Sequence, residues 1–190
     1  MNKKYIISFL SIIFITTLVF SQQLKDVSKK SKKQVITQQT EEFGYELVFF
    51  DEETGLPKSV KRKTIIPLKT KKEEKVKTIV NDLLSFSDTE AKQKKVRKVI
   101  KPKIEVVDVK CSTETHKTLD NIEIHHDVVL IEFPREIIPY LDPVVLEDLT
   151  TQIRFTLELS GIECTKLELV AKDKKGNLRS LMHFLDNKED

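Results

Sequence analysis

Two amphipathic helical patterns, separated by strand-like runs, constrain the fold of this chain most strongly. In the first, apolar residues recur from 76 to 84 at the 3.6-residue spacing that gives a helix one apolar face. Thr70 and Glu73 precede it at the spacing of a capping box. The sequence therefore predicts a helix that begins near Thr70, ends near residues 85–87 and buries one face.

The second helical pattern has signals at both ends. Asp142 is a favourable N-cap residue, and Pro143 suits the first helical position. Apolar residues then form a stripe from 145 to 159. Gly161 stands where a left-handed residue commonly ends a helix. A second helix between Asp142 and Gly161 follows.

The remaining apolar runs have the length and composition of strands. Turns are expected at 51–55 and 173–177, and His125, His126 and Asp127 read as a turn into the run 128–133. Strand order and helix order together predict an α+β fold: a mixed, mainly antiparallel sheet with two helices packed on one face. The expected strands are 43–50, 56–67, 104–109, 122–124, 128–133, 166–171 and 178–184, with polar loops at 89–103 and 112–120.

The same periodicities predict the core. The residues expected to hold the shape of the domain are apolar and lie on the inward positions of helices and strands. They are Val76, Ile79, Val80, Leu83, Leu149, Ile153, Leu157, Val129, Ile131, Leu167 and Leu169.

The amino terminus has the layout of a bacterial secretory signal peptide. Lys3 and Lys4 precede an apolar run over 5–20, and small or modest side chains follow before Gln22. We expect a Sec-type signal peptide over 1–21, a disordered basic linker over 22–42, a domain over 43–185 and a tail over 186–190. The alternative is an uncleaved membrane anchor at 5–20, although a spanning helix needs roughly 20 apolar residues.

Export determines the compartment we expect, and an oxidising compartment would allow the two cysteines to form a disulfide. The protein is expected outside the cytoplasm, in the periplasm or cell envelope. Cys111 and Cys164 both lie beside strand-like runs, so a disulfide between them is one interpretation. The other is that both are small buried apolar residues.

A basic stretch is the most unusual segment of the domain. Between residues 92 and 103 it holds seven cations and no acid: Lys92, Lys94, Lys95, Arg97, Lys98, Lys101 and Lys103. It is either a docking loop for an acidic partner, a wall polymer or lipid head groups, or a solvated connection. Nucleic acid is not expected, because the net charge is only +3 and the stretch has no aromatic residue on which bases could stack.

No local arrangement of residues predicts catalysis. The sequence has no nucleophile elbow, zinc-protease helix, phosphate-binding loop or dinucleotide turn. His125 with Asp127, joined by His116, is the most ligand-like group, but a solvated turn is the simpler interpretation, because neighbouring His125 and His126 point to opposite faces of a strand. We therefore expect no enzyme activity, no cofactor and no metal.

The element order resembles that of the GerMN domain, named for sporulation and germination lipoproteins. The resemblance covers roughly 43–184: a strand at 45–50, a helix ending in Asn-Asp-Leu-Leu at 81–84, strands at 104–109 and 128–133, the helix at 149–157, and the strand entry at 162–169. It implies an exported domain with two helices on a sheet and no catalytic constellation. The chain lacks the lipid-bearing cysteine of such lipoproteins.

These observations favour an exported, non-catalytic binding or assembly domain of the cell envelope, with a role related to sporulation or the cell wall. An envelope protein or a wall polymer is the expected partner, with peripheral membrane contact through the basic residues. The alternative is an accessory factor that docks on a wall enzyme or transport machine through its basic loop. A third class, an unrecognised envelope hydrolase, would need a site assembled from distant residues.

We predict that the exported protein begins at or near Gln22. The reason is the order of basic, apolar and small residues before that position. Amino-terminal sequencing of protein from the envelope fraction checks this. An intact Met1 recovered from the membrane pellet would instead show an anchored protein.

Overall fold

The computed structural model describes residues 39–186. The expected signal peptide, most of the expected linker and the last four residues lie outside this range. The first strand begins at Thr40, three residues before the expected start of the domain at Phe43.

The described chain forms an α+β fold, as the sequence predicts. Seven strands alternate with four α-helices and one 3₁₀-helix. In chain order they are β1 (Thr40–Asp51), β2 (Pro57–Pro67), α1 (Lys72–Ser85), α2 (Asp88–Lys94), β3 (Val96–Arg97), β4 (Asp108–Lys117), β5 (Glu123–Phe133), the 3₁₀-helix (Arg135–Tyr140), α3 (Pro143–Leu159), β6 (Lys166–Lys172), β7 (Leu178–Ser180) and α4 (Leu181–Asp186).

The strands form two sheets, whereas the sequence predicted one. The first has the order β2-β1-β3 and the second β4-β5-β6-β7. All neighbouring strands are antiparallel except β5 and β6, which are parallel because α3 connects them as a crossover. β1 and β2 form a long hairpin, and the outer edge of β1 meets α3 and the short β3 instead of β4.

One apolar core joins the two sheets. The inward faces of α1 and α3 are buried, as is most of the carboxyl-terminal half of β1 and of β5. All eleven expected core residues pack in or against this cluster, with Leu167 only half-buried. The helix periodicities therefore predicted the core correctly.

Helix α3 binds the edge of β1 through hydroxyl groups. The backbone N–H of Val48 donates to Thr156 Oγ1 at 2.9 Å, and Thr156 is fully buried. One turn further on, the N–H of Glu46 donates to Ser160 Oγ at 3.2 Å, and Ser160 Oγ donates to the Glu46 carbonyl at 3.3 Å. Beyond these contacts β3 completes the same edge at Phe50 and Asp51. The hydroxyls thus satisfy backbone groups that a neighbouring strand would otherwise bind.

The ends of α3 match the sequence prediction. The Asp142 carboxylate accepts from the N–H of Val145 at 2.8 Å, and Pro143 is the first helical residue. At the other end Gly161 has a φ of 72°, in the left-handed region where a glycine has no steric penalty.

The capping prediction for α1 was wrong. Thr70 donates its hydroxyl to the carbonyl of Pro67 and so closes the preceding turn. Lys71 is the N-cap residue and makes no side-chain capping bond. The Thr70 hydroxyl therefore bonds within the turn after Pro67 and does not cap α1.

Several expected loops and strands differ from the structure. The segment 89–103 contains α2, capped by Ser87 Oγ on the N–H of Glu90, and the short β3. The strand expected at 104–109 begins only at Asp108, and it continues through the expected loop to Lys117. His125, His126 and Asp127 lie within β5 and not in a turn. The expected last strand is β7 followed by α4.

We predict that Thr156→Val destabilises the domain although it keeps the side-chain shape. It leaves the buried Val48 N–H without an acceptor, which should cost about 1–3 kcal/mol. Urea unfolding measures this. Thr150→Val is the control, since Thr150 only donates to the Leu146 carbonyl within the same helix. Equal losses of unfolding free energy in the two variants would contradict the role of Thr156 in binding the edge of β1.

Candidate functional site

An open groove of about 920 Å³ lies between α3, β6 and the β7–α4 connection. Its walls are mainly apolar, and several apolar side chains in it remain exposed to solvent. The exposed members are Phe155 on α3, Leu178 on β7 and Met182 on α4. Leu130 and Leu167 lie half-buried in the groove.

The groove follows a stretch of β6 that has no outer strand. β7 pairs only with Val170, Ala171 and Lys172. The N–H of Thr165 donates toward β5, to the carbonyl of Asp127 at 2.8 Å. Because backbone groups alternate in direction along a strand, those of Glu168 point away from β5 toward the groove. Within the described residues no strand pairs with that edge.

Polar groups in the groove are few and include no usual nucleophile–base pair. Its lining has the carboxylates of Glu147 and Glu168, the guanidinium of Arg154 and the hydroxyls of Thr150, Thr151 and Ser180. None of the described residues that line it is a histidine or a cysteine. Its chemistry suits the burial of an apolar segment with a few polar contacts.

The structure separates the seven basic residues of 92–103 into two groups. Three are paired with acids: Lys95 with Glu53 at 3.2 Å, Arg97 with Asp148 at 3.0 Å and Lys98 with Asp88 at 3.0 Å. Arg97 also lies over the ring of Phe50. These three therefore bind within the domain, and their partners are distant in the sequence or lie on the previous helix.

The other four basic residues are exposed and form no ion pair within the described chain: Lys92, Lys94, Lys101 and Lys103. We call them the basic quartet. Lys92 and Lys94 lie on α2, whereas Lys101 and Lys103 lie on the segment that leads toward β4. Free positive charge is thus available for an anionic partner only at these four positions of the stretch.

The two cysteines are free thiols that flank β5. Cys111 on β4 lies opposite Val129, and Cys164 precedes β6 on the other side of β5. Burial is the main reason that the pKa of each thiol is raised. The electrostatic influence of Cys164 on the Cys111 thiol places the two side chains in the same neighbourhood, and the disulfide between them stays a prediction.

A partly buried polar cluster links the first hairpin to the helices. Tyr45 donates to Asp82 Oδ2 at 2.9 Å, and Arg62 Nη2 donates to Glu90 at 3.0 Å. Arg62 Nε lies 3.4 Å from the same Asp82 oxygen, and the guanidinium stacks on Phe86. Burial, followed by the bond to Asp82, raises the pKa of Tyr45 well above its ordinary value. Arg62 Nε is buried and makes no hydrogen bond, but every charged group of the cluster faces a group of opposite charge or a hydrogen-bond partner, which favours a structural role.

The histidines of the expected turn lie on the β4–β5 hairpin. His125 Nδ1 lies 2.9 Å from Thr115 Oγ1, and Asp127 accepts from Thr113 Oγ1 at 2.9 Å. His126 points to the other face, as strand alternation requires. Among the described residues, no group of three or more His, Cys, Asp or Glu side chains could hold a metal ion in the arrangement seen.

Comparison of the chain with models of known protein families finds no match, and neither do comparisons with curated proteins and with solved structures. In the described range, no helix has both the length and the apolarity needed to cross a membrane.

Sequence reasoning missed the groove. Phe155 widens the apolar stripe of α3 beyond what one buried face needs, and it is exposed in the groove. That excess width was the available signal. The open edge of β6 could not be found in the same way, because it depends on how early β7 ends.

We predict that the basic quartet, and not the paired cations, governs binding to anionic surfaces. Changing Lys92, Lys94, Lys101 and Lys103 to Gln should weaken retention on anionic vesicles or teichoic acid and reduce its salt dependence. The matched control changes Lys95, Arg97 and Lys98 to Gln. Co-sedimentation at low and moderate salt measures both. A larger loss of retention for the control variant than for the quartet variant would contradict the division of the seven cations into paired and free groups.

Proposed function

We propose that this protein is an exported, non-catalytic binding or assembly domain of the bacterial cell envelope. The observation that carries the proposal is the open apolar groove between α3, β6 and α4. A concave, mainly apolar surface with a few converging polar groups is the usual form of a ligand- or partner-binding site. We propose an extended apolar segment of an envelope protein as the partner.

Two features of the groove support an extended segment. The exposed rings and chains of Phe155, Leu178 and Met182 offer apolar contacts for alternate side chains. The backbone edge at Glu168 offers main-chain hydrogen bonds to a strand laid beside it. Strand addition uses this combination: main-chain bonds give affinity and side-chain pockets give specificity.

The same lining supports a non-catalytic role. General acid–base and nucleophilic catalysis need groups within hydrogen-bond reach of each other and of the substrate. The groove offers two carboxylates, one guanidinium and hydroxyls, without the imidazole or thiol that most often activates a nucleophile. Binding is therefore the simpler use of this surface.

The compartment and the family belong to the same proposal. The signal-like amino terminus is the reason for placing the protein outside the cytoplasm. The order of β1, α1, β5, α3 and β6 supports a GerMN-like domain with a role near the wall or the spore. The additional helix α2 and the division into two sheets are departures from the expected pattern.

The basic quartet favours a second candidate function. Four exposed lysines without acidic partners would suit docking on an anionic face of a wall enzyme or transport machine. In that case the protein is an accessory factor, and its affinity for the wall enzyme or transport machine falls steeply as the salt concentration rises. The groove proposal predicts a weak salt dependence instead, because apolar burial is insensitive to ionic screening.

We predict that a photo-crosslinking residue at Phe155 captures a specific envelope protein in living cells. The control position is Ile65, which is also apolar and is 73% exposed but lies on β2 outside the groove. Mass spectrometry should identify one adduct at Phe155 that is absent at Ile65, and Met182→Lys should abolish it. Identical adducts at both positions would contradict the groove. Cleavage of labelled peptidoglycan by the purified protein would contradict the non-catalytic role.

A further inference from the structure

Three ligand-type side chains share one face of the β4–β5 hairpin. Glu114 pairs directly with His126 across the ladder, and His116 lies two residues beyond Glu114 on the same strand. Because side chains alternate along each strand, all three project to the same face. Neither the proposed groove nor the basic quartet includes any of them.

The distances between these groups resemble those of a transition-metal site. Glu114 Oε2 and His116 Nε2 lie 3.5 Å apart, and the rings of His116 and His126 lie 5.5 Å apart between centroids. In a tetrahedral zinc site two ligand atoms lie about 3.4 Å apart, and two imidazole centroids about 5 Å apart. The hairpin thus places one carboxylate oxygen and one imidazole nitrogen at a ligand-like separation, with the ring of His126 beside them.

As the side chains of the described residues are arranged, no three of these types could hold a metal ion, so binding requires Glu114, His116 and His126 to change rotamer. They are free to move: the side chains of His116 and Glu114 are 64% and 42% exposed. Lys166 lies 3.6 Å from the Glu114 carboxylate, but it lies closer, at 2.8 Å, to Glu168. Lys166 can therefore release Glu114 and keep a partner.

We propose that Glu114, His116 and His126 bind a divalent transition-metal ion, with zinc as the best match to two imidazoles and one carboxylate. Rotation of exposed side chains closes the site around the ion, while the strand ladder fixes the backbone. Three protein ligands leave a fourth position for water or for a group from a bound partner. This chemistry is independent of the proposed partner in the groove.

His125 supplies a matched control within the same strand. It is adjacent to His126 in sequence but lies on the opposite face, where it contacts Thr115. A site on the hairpin face requires His126 and not His125. Nonspecific zinc binding to surface histidines would not distinguish them.

Zinc titration of the purified protein by calorimetry, with cobalt absorption as a second readout, tests the proposal. We expect one zinc per chain, a tetrahedral cobalt spectrum, and binding weakened about tenfold or more by His116→Ala or His126→Ala. Glu114→Gln should also weaken it, whereas His125→Ala should leave it unchanged. Circular dichroism checks that each variant remains folded.

The cysteines provide the remaining control, because free thiols also bind zinc. Cys111→Ser with Cys164→Ser should retain zinc binding if the hairpin site is correct. Loss of binding in that double variant, equal effects of His125→Ala and His126→Ala, or no zinc binding by the unchanged protein would each overturn the proposal.

Discussion

The hydrogen bonding of α3 to the free edge of β1 is the constraint on which the rest of the structure depends. A helix cannot continue a sheet through its own backbone, because its N–H and carbonyl groups are already paired. Thr156 and Ser160 solve this by presenting hydroxyls to Val48 and Glu46. With its edge satisfied, β1 needs no further strand there, and the chain forms two sheets with α3 along the border.

The position of α3 also explains the groove. One part of its surface is committed to β1 and the core, through Leu149, Ile153 and Thr156. Phe155, one residue earlier than Thr156, faces the groove instead. Since β7 ends at Ser180 and the chain turns into α4, nothing in the described residues covers the β6 edge beside this face. The open groove therefore arises where β7 ends early.

Sequence patterns predicted most features that depend on local spacing, with the capping box at Thr70 as the exception, and missed those that depend on distant partners. The faces of α1 and α3, the N-cap at Asp142 and the left-handed Gly161 follow from short-range rules, and all were predicted. The polar end of β4 was expected to be a loop, because its strand character comes from cross-strand pairs such as Thr113 with Asp127. Such pairs become visible only once the register is known.

The basic stretch shows the same limit for the candidate site. In sequence, Lys95, Arg97 and Lys98 are indistinguishable from the lysines around them. In the fold, Glu53 and Asp148 reach two of them from other elements, and those ion pairs leave less free charge than the run suggests. A run of like charges therefore sets an upper bound on an electrostatic docking surface. The charges available to a partner are those that ion pairs within the fold leave unneutralised. Only those positions can attract a partner at a distance.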